Sequence, residues 1–372
     1  MPPAADACNP DAMDAALFDV PSKLPRKMSS KFAERYGEVR AMATDSLREY
    51  GCDEDTVAYF THMFDYNVPK GKLARGATVV DCVELVSGFY GREVTPELEL
   101  QAHVLGWCVE WLQAFFLVID DIMDHSVTRR GQPCWYKVER VGFNAANDAL
   151  LLEMVIYGLL KRHFRGHRLY VELIELFHQV TTRTIIGQHL DSQYDAIVRG
   201  DHIDFSKYTL DRYRAIVRNK TAYYTFVLPI QLGLVLCGVG DAELLETSQR
   251  LCLSIGELFQ IQDDFLDCFG DPSVTGKVGT DIEDAKCSWL VLYALGVASP
   301  EQRQQLHRHY GKPDAASIQE VKRVFGELAV ADAYIQHEES AFTKLQGEIV
   351  AAPAMLQPLF STVLAKMFKR ST

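Results

Sequence analysis

The sequence lacks the cysteine pairs that would indicate a disulfide framework or a zinc site. Its nine cysteines are scattered along 372 residues, are odd in number and include no C-x-x-C pair. This spacing is typical of reduced thiols in the cytosol rather than of a secreted, disulfide-bonded domain. We therefore expect a cytoplasmic protein with free cysteines.

A long uninterrupted apolar run is missing as well. The most apolar stretch, residues 226–239, is interrupted by Pro229 and Gln231 and is shorter than the roughly 18 residues that a membrane span requires. We predict a buried core helix there and no membrane span. Residues 1–27 carry four aspartates and no hydrophobic signal core, so neither a secretory signal nor an Arg-rich transit peptide is indicated. We expect this extension, which is rich in Ala, Asp and Pro, to be poorly ordered.

Basic residues are fewer than acidic ones. The chain has 38 Lys and Arg against 50 Asp and Glu, which gives a formal net charge of −12. Because a general affinity for nucleic acid needs a basic surface, we expect no nucleic-acid partner. Gly/Ser linkers and short internal repeats are also missing. Although the length would permit two or three domains, we predict a single domain over residues 28–372.

Two Asp-Asp-x-x-Asp triplets in apolar surroundings are the most informative feature that is present, at residues 120–124 and 263–267. In a helix, Asp120 and Asp124 lie one turn apart on one face, whereas Asp121 is rotated towards a neighbouring face. Ionised carboxylates are costly to bury beside a core unless a cation accompanies them. One such triplet alone is equally compatible with an acidic helix end, but two of them predict a pair of cation-binding sites.

The chemistry of these triplets favours a hard divalent ion. They offer only carboxylate oxygens, without His or Cys, which indicates Mg²⁺ rather than Zn²⁺. Because Mg²⁺ usually takes its remaining ligands from water and substrate phosphates, a sparse acidic site implies a phosphorylated substrate. Arg129 and Arg130, which follow the first triplet closely, supply planar donors for phosphate oxygens.

Helical periodicity predicts the element that carries the first triplet. Thr95 and Pro96 are typical of a helix N-cap and first turn. Apolar residues then recur at three- and four-residue steps towards Asp120, namely Ala102, Leu105, Val109, Leu112, Phe116 and Ile119. Further helices are predicted over residues 31–50 and 53–66, twice within 147–192, and over most of 301–368. The predicted fold class is therefore all-α.

With both motifs in place, the chain resembles the trans-isoprenyl diphosphate synthase family over about residues 30–370, and within it the eukaryotic-type farnesyl diphosphate synthases. The resemblance implies the isoprenoid synthase fold, a single-domain helical bundle in which the two aspartate motifs face each other across a large central cavity. It also implies a homodimer that uses two or three Mg²⁺ ions, with Mn²⁺ as a possible substitute.

The reaction that the resemblance implies is a Mg²⁺-dependent head-to-tail condensation. Isopentenyl diphosphate would react first with dimethylallyl diphosphate and then with geranyl diphosphate, which gives farnesyl diphosphate.

The resemblance assigns roles residue by residue. Metal ligands are expected at Asp120, Asp124, Asp191, Asp263 and Asp267. Supporting carboxylates are expected at Asp121 and Asp264. Catalytic roles are expected at Asp120, Asp124, Arg129, Lys220, Thr221, Gln260 and Asp263. Substrate binding is expected from Arg129, Gln188, Lys220, Thr221, Gln260 and Lys286, and contact with the allylic diphosphate from Lys277. From residue type alone, Lys220 is also compatible with a side chain that extends to water, and Gln188 with a capped helix end.

A loop punctuated by Pro and Gly lies at residues 66–76. Its composition alone is compatible with a solvated basic loop. In the family a loop of this kind holds isopentenyl diphosphate. The resemblance therefore assigns that substrate to Gly71, Lys72, Arg75, Gln113 and Arg130.

Phe115 and Phe116 lie about one turn before Asp120. Periodicity makes them core residues, whereas the resemblance makes them the floor of a product pocket that stops the chain at fifteen carbons. Because pocket volume sets product length, a geranyl or geranylgeranyl diphosphate synthase is the main alternative. A class I terpene cyclase should lack the isopentenyl loop and a non-catalytic partner subunit should lose aspartates, so both are less favoured.

Overall fold

Helices make up nearly all of the regular structure. The computed structural model describes residues 28–192, 198–199, 202–271 and 279–367. The first half contains α1 (Met28–Glu34), α2 (Tyr36–Glu49), α3 (Glu54–Asn67), α4 (Ala74–Phe89), α5 (Pro96–Met123), α6 (Asn144–Phe164) and α7 (Tyr170–Ser192). The second half contains α8 (Leu210–Val217), a π-helix (Arg218–Val227), α9 (Leu228–Leu236), α10 (Ala242–Phe269), α11 (Trp289–Val297), α12 (Pro300–His309), α13 (Ala315–Glu327), α14 (Val330–Val350) and α15 (Leu356–Met367). The predicted all-α class is confirmed.

Extended structure is limited to two antiparallel pairs of two-residue strands among the described residues. Strand β1 (Thr128–Arg129) pairs with β2 (Gln132–Pro133), and β3 (Val198–Arg199) pairs with β4 (His202–Ile203). Arg130 and Gly131 turn the first hairpin with φ of 54° and 73°, and positive φ at both positions is what a type I′ turn requires. This hairpin follows directly after α5 and holds both arginines of the first motif.

Helix α5 is the central element of the bundle. Thr95 caps it as predicted, because its hydroxyl accepts a hydrogen bond from the Leu98 N–H at 3.2 Å. The predicted apolar stripe is buried from Ala102 to Leu112 and half-buried beyond, where α5 packs between α4 and α6. By length and composition this helix could cross a membrane, but 83% of its most apolar window is buried inside the fold, as expected for a core helix. Its apolar residues are interspersed with polar ones, so the absence of an uninterrupted apolar run did not reveal the length of this apolar helix.

The segment 226–239, predicted as a buried core helix, is indeed buried. Most of its residues are shielded from solvent where the π-helix continues into α9. Pro229 lies in the first turn of α9, at the junction where the π-helix passes into the α-helix.

Helix α10 is the counterpart of α5. Both helices have 28 residues, and both carry their aspartate triplet in the last turns. Since the carboxyl end of a helix already bears partial negative charge, three carboxylates at each end create a strong demand for cations. All cysteines within the described ranges are free, as predicted. The single domain over residues 28–372 stays a prediction, and the extension 1–27 lies outside the described residues.

Candidate active site

Both aspartate motifs line one cavity of about 770 Å³. Asp120 and Asp124 reach it from α5, and Asp263 and Asp267 reach it from α10. A cavity of this size is within the range of small-molecule binding sites. The structure therefore brings the two motifs together at one site, although Asp124 and Asp263 are 139 positions apart in the sequence.

Asp120 is surrounded by donors. Its Oδ1 accepts a hydrogen bond from Gln188 Nε2 at 2.9 Å and lies 3.4 Å from Lys220 Nζ, while its Oδ2 lies 3.3 Å from Arg129 Nη2. Burial alone would raise the pKa of this carboxyl, but Lys220 and Arg129 outweigh burial, so its pKa lies below the ordinary value. Asp120 is therefore held ionised at the wall of the cavity.

Asp121 has a different environment. It is 3% exposed, and its Oδ1 accepts hydrogen bonds from both Arg129 Nε at 2.9 Å and Arg129 Nη2 at 2.6 Å. A carboxylate that fixes a guanidinium in this way orients it without facing the cavity itself. This geometry agrees with the expected supporting role of Asp121.

Two lysines and Asp191 form a cluster of alternating charge. Asp191 Oδ2 accepts from Lys220 Nζ at 2.5 Å and from Lys286 Nζ at 3.0 Å. Lys286 Nζ also lies 3.6 Å from Asp124 Oδ1, and its backbone carbonyl accepts a hydrogen bond from the Tyr310 hydroxyl at 2.7 Å. Although burial would raise the pKa of Asp191, the two lysines hold it well below the ordinary range. Carboxylates thus hold both lysines at the cavity.

Close backbone contacts hold the π-helix in place. A Cβ added to Gly187 of α7 would lie 2.1 Å from the backbone N of Lys220. A Cβ added to Gly256 of α10 would lie 2.3 Å from the Ala222 Cβ. The segment around Thr221 is therefore enclosed between two helices at a distance that only glycine permits. Short π-helical segments frequently occur at functional sites, and here the segment presents Lys220 and Thr221 to the cavity.

Asp264 of the second motif is buried and accepts hydrogen bonds from three protein groups. It accepts from Gln260 Nε2 at 3.0 Å, from the Tyr213 hydroxyl at 2.9 Å and from the Trp289 N–H at 2.8 Å. Burial raises the pKa of Asp264 to about 7, although these hydrogen bonds oppose the rise. Gln260, held by Asp264, accepts in turn from the Thr221 hydroxyl at 2.9 Å. Asp264 thus connects the second motif to the π-helix.

Asp267 holds the chain that follows the second motif. Its Oδ1 accepts from the Asp281 N–H at 2.9 Å, and a Cβ on Gly279 would lie 1.9 Å from the Asp267 carbonyl oxygen. Lys277, expected to bind the allylic diphosphate, lies outside the described residues. Metal binding by all five predicted ligands, Asp120, Asp124, Asp191, Asp263 and Asp267, stays a prediction.

Two of the five residues expected to hold isopentenyl diphosphate line the cavity, and the other three do not. Arg75 and Gln113 line it, and the Arg75 guanidinium lies 4.8 Å above the Tyr224 ring. Gly71 has a φ of 113°, and a Cβ there would lie 2.9 Å from the Arg130 guanidinium. The role of this glycine in the structure is therefore to make room for Arg130, which lines a small adjoining pocket. The side chain of Lys72 is exposed near this loop.

Phe115 and Phe116 lie behind the cavity wall. Their ring centroids are 4.8 Å apart, and the Phe116 ring is 5.6 Å from that of Tyr224. Tyr224 and Leu117 line the cavity, whereas the two phenylalanines do not. Their expected effect on product length stays a prediction. Any such effect would reach the cavity through Tyr224, which Phe116 contacts.

Sequence reasoning missed Glu110, Tyr213 and Tyr224. Tyr213 and Tyr224 gave no signal, since an aromatic residue in a helical pattern usually indicates core. Glu110 did give one, because it is an acidic residue in the apolar part of α5, three residues before Gln113.

The donor set suits a hard divalent ion. The aspartates at the cavity provide carboxylate oxygens. His125 and Cys287 also line it, but burial raises the pKa of the Cys287 thiol to about 12 and so keeps it protonated. Across the described ranges, no group of three or more His, Cys, Asp or Glu side chains is arranged to hold a metal ion by itself. An ion at either motif would therefore complete its coordination with water and a bound phosphate.

Comparison with known proteins identifies the family of the chain. The polyprenyl synthetase family model matches residues 57–328. Farnesyl pyrophosphate synthase 2 of Cannabis sativa is 44% identical over 345 residues, which cover 92% of this chain and 99% of that protein. The farnesyl pyrophosphate synthase of Saccharomyces cerevisiae is 43% identical over 329 residues, which cover 88% and 93%. The structure of T. brucei farnesyl diphosphate synthase complexed with risedronate matches with a TM-score of 0.84 and 33% identity, covering 93% of this chain and 100% of that one. The family model matches more than half of the chain, and relatives more than 40% identical cover most of its length. The chain therefore belongs to the polyprenyl synthetase family.

Proposed function

We propose that this chain is a farnesyl diphosphate synthase, a prenyltransferase that condenses isopentenyl diphosphate with dimethylallyl diphosphate and then with geranyl diphosphate. The observation that carries this proposal is the convergence of both aspartate motifs on one cavity that also contains cationic side chains. Those side chains are Arg75, Arg129, Lys220 and Lys286. The relatives named above are all farnesyl diphosphate synthases.

Asp120 and Asp124 on one side and Asp263 on the other would hold Mg²⁺, with two or three ions in total and Mn²⁺ as a substitute. When bound, such ions act as Lewis acids that neutralise the charge of a departing diphosphate. Asp121 and Asp264 contribute indirectly, because the first orients Arg129 and the second holds Gln260.

The allylic diphosphate would lie between the two motifs. Its oxygens would replace Asp191 as partners of Lys220 and Lys286, while Arg129 approaches from the hairpin. As the carbon–oxygen bond breaks, its electrons go to the diphosphate, whose growing charge these side chains stabilise. The Thr221 hydroxyl and the Gln260 amide would supply dipoles beside the allylic cation.

Isopentenyl diphosphate would occupy the side of the cavity formed by Arg75, Gln113 and Arg130, together with the loop that contains Gly71 and Lys72. Its double bond would supply the electrons of the new carbon–carbon bond to the allylic cation. The adduct then loses a proton to an oxygen of the released diphosphate, and a new double bond forms. A terpene cyclase has no second diphosphate to bind, so the presence of Arg75 at the cavity favours the synthase.

Product length is proposed to depend on Phe115 and Phe116. The Phe116 ring, which Phe115 contacts, packs at a tilt behind the Tyr224 ring, so a chain that grows in this direction would meet three aromatic rings in succession. This barrier favours the fifteen-carbon product over a longer one.

A homodimer in the cytoplasm is proposed as the working form. Helix α6 has exposed apolar side chains one turn apart, Leu150 at 56% and Met154 at 52%. Apolar surface of this kind on a long helix favours burial against a second copy of the chain. The free cysteines favour a reducing compartment.

The proposal is tested by incubating the purified full-length chain with dimethylallyl diphosphate, isopentenyl diphosphate and Mg²⁺, and identifying the products by mass spectrometry. Farnesyl diphosphate should accumulate, geranyl diphosphate should be transient, and EDTA should abolish turnover. If no prenyl chain is extended, the proposed function is wrong. If geranylgeranyl diphosphate is the end product, the prenyltransferase assignment holds but the chain-length assignment is wrong.

A further inference from the structure

Glu110 is a buried acidic residue that the reaction described above does not use. It is 2% exposed and lies within the apolar part of α5, behind the cavity wall rather than on it. Burial raises the pKa of its carboxyl, and the Gly76 N–H and the charge of Arg75 offset part of that rise. Burying a carboxylate costs free energy unless its oxygens are hydrogen-bonded. The hydrogen bonds of Glu110 therefore indicate its role.

The first contact is with the N-terminus of α4. The backbones of α4 and α5 touch at Gly76 and Gly106, where an added Cβ on either residue would lie within 2.6 Å of the carbonyl oxygen of the other. Glu110 is one turn beyond Gly106, and its Oε1 accepts the Gly76 N–H at 2.8 Å. The N-cap residue of α4, Leu73, has no side-chain acceptor of its own. Glu110 therefore supplies from α5 the cap and the negative charge that stabilise a helix N-terminus.

The second contact leads to Arg75. With its amide oriented to satisfy both neighbours, Gln113 donates its NH₂ to Glu110 Oε2 at 2.9 Å and accepts from Arg75 Nη1 at 2.7 Å. Arg75 donates its other N–H groups to the Thr225 and Tyr224 hydroxyls, each at 3.1 Å. Since Gln113 can present its carbonyl oxygen to Arg75 only while its NH₂ faces an acceptor, Glu110 fixes the orientation of this amide.

We propose that Glu110 is a positioning residue for the isopentenyl diphosphate side of the cavity. It holds Arg75 in place in two ways, through the backbone of α4 and through the amide of Gln113. The inference rests on the proposed function, because it assigns Arg75 and Gln113 to one of the two substrates.

The decisive variant is Glu110→Gln, which keeps the shape of the side chain. Its amide oxygen can still accept the Gly76 N–H, but its NH₂ then faces Gln113. Gln113 must either leave a donor unpaired or rotate its amide, and rotation places NH₂ against the Arg75 guanidinium. We expect the KM for isopentenyl diphosphate to rise about tenfold, which corresponds to the loss of one charge-assisted hydrogen bond. The KM for geranyl diphosphate and the kcat at saturation should change less than about twofold.

Asp148→Asn is the matched control. Asp148 is likewise 2% exposed and accepts hydrogen bonds from the Tyr59 hydroxyl and Trp135 Nε1, but it does not line the cavity. Its variant should lower the melting temperature without a selective change in either KM. If Glu110→Gln behaves in the same way, or raises both KM values equally, Glu110 is only structural and the inference is wrong.

Coupling to Arg75 gives an independent measurement. In an Arg75→Ala background, Glu110→Gln should add less than about twofold to the KM for isopentenyl diphosphate, because the residue it positions is gone. A full additional tenfold rise would overturn the inference. If Glu110→Gln does not fold, Glu110→Asp should show the same selective rise in KM, and an unchanged KM would also overturn it. A wild-type chain that makes no prenyl diphosphate contradicts the proposed function instead.

Discussion

Neighbouring aspartates within each motif have different surroundings and therefore different tasks. In the first motif Asp120 faces the cavity, whereas Asp121 is buried against Arg129. In the second motif Asp263 is half-buried at the cavity, whereas Asp264 is buried and holds Gln260. Within each pair, one carboxylate is thus available for an ion and the next one fixes a side chain that acts on the substrate.

Removing a cavity carboxylate should abolish most of the activity without unfolding the chain. We expect Asp120→Ala or Asp263→Ala to lower kcat by at least about a hundredfold, since each would lose ion binding at the departing diphosphate. Steady-state rates and circular dichroism check this expectation. Asp332→Ala, which removes an exposed carboxylate in the first turn of α14, is the control and should retain normal rates. Near-normal turnover in either motif variant would refute the assignment.

The phenylalanine pair should control product length. Replacing both Phe115 and Phe116 with Ala removes the support behind Tyr224, so the growing chain should extend beyond fifteen carbons. Chromatography of the dephosphorylated products measures the change. Because Phe115 is 5% exposed, its replacement should also lower the free energy of unfolding by about 3 kcal/mol or more. A folded double variant that still makes only the fifteen-carbon product would remove the proposed role.

For single residues, the sequence predicted a site where the same residue types recur in a pattern. The aspartates and Arg129 could be assigned to one site because carboxylates in an apolar helix require cations, whereas Arg130 lines the adjoining pocket. Glu110 could not be assigned, because its role depends on Gly76 and Gly106 touching across two helices. A single acidic residue in an apolar stripe shows that a partner exists but does not identify it.

Among the secondary-structure elements, the long helices followed from periodicity and capping. The N-cap at Thr95 and the stop near Gly51, whose φ is 82°, were both readable from the sequence. The π-helix Arg218–Val227 was not. It differs from an α-helix by a fraction of a residue per turn, and its geometry arises where the glycines of α7 and α10 allow close contact. Tertiary contacts of this kind leave no periodic signal.

The fit of the π-helix between α7 and α10 should be sensitive to a single methyl group. Gly256→Ala places a Cβ 2.3 Å from that of Ala222, so the π-helix must move and take Lys220 and Thr221 with it. We expect kcat to fall about tenfold or more and the free energy of unfolding to fall by about 1–3 kcal/mol. Gly347→Ala in α14 is the control, because nothing lies within 4 Å of its added Cβ. It should retain normal activity and gain up to about 1 kcal/mol of stability. Equal rates in the two variants would show that the π-helix does not position the reacting groups.

For the whole molecule, the binding of an anionic substrate depends on where the charges lie rather than on the net charge. The chain carries a net charge of −12, yet lysines and arginines from α4, the first hairpin, the π-helix and the segment before α11 meet at one cavity. The lining of that cavity also carries nine carboxylates against four Lys and Arg side chains, so divalent ions would be needed there before it attracts an anionic substrate. On the proposed function, bound ions and these side chains together hold a small diphosphate within an otherwise acidic chain.

Assembly should depend on the exposed apolar stripe of α6. A residue in a twofold-symmetric interface occurs on both subunits, so each charge introduced there counts twice. We expect the wild-type chain to have the mass of two chains in size-exclusion chromatography with light scattering. The double variant Leu150→Glu, Met154→Glu should weaken the dimer at least about a hundredfold, because like charges at an interface cost several kcal/mol. Val350→Glu, at a 74% exposed position at the end of α14, should leave the mass unchanged. A dimer that survives the α6 variant must use another face, and a wild-type chain of single-chain mass would contradict the dimer altogether.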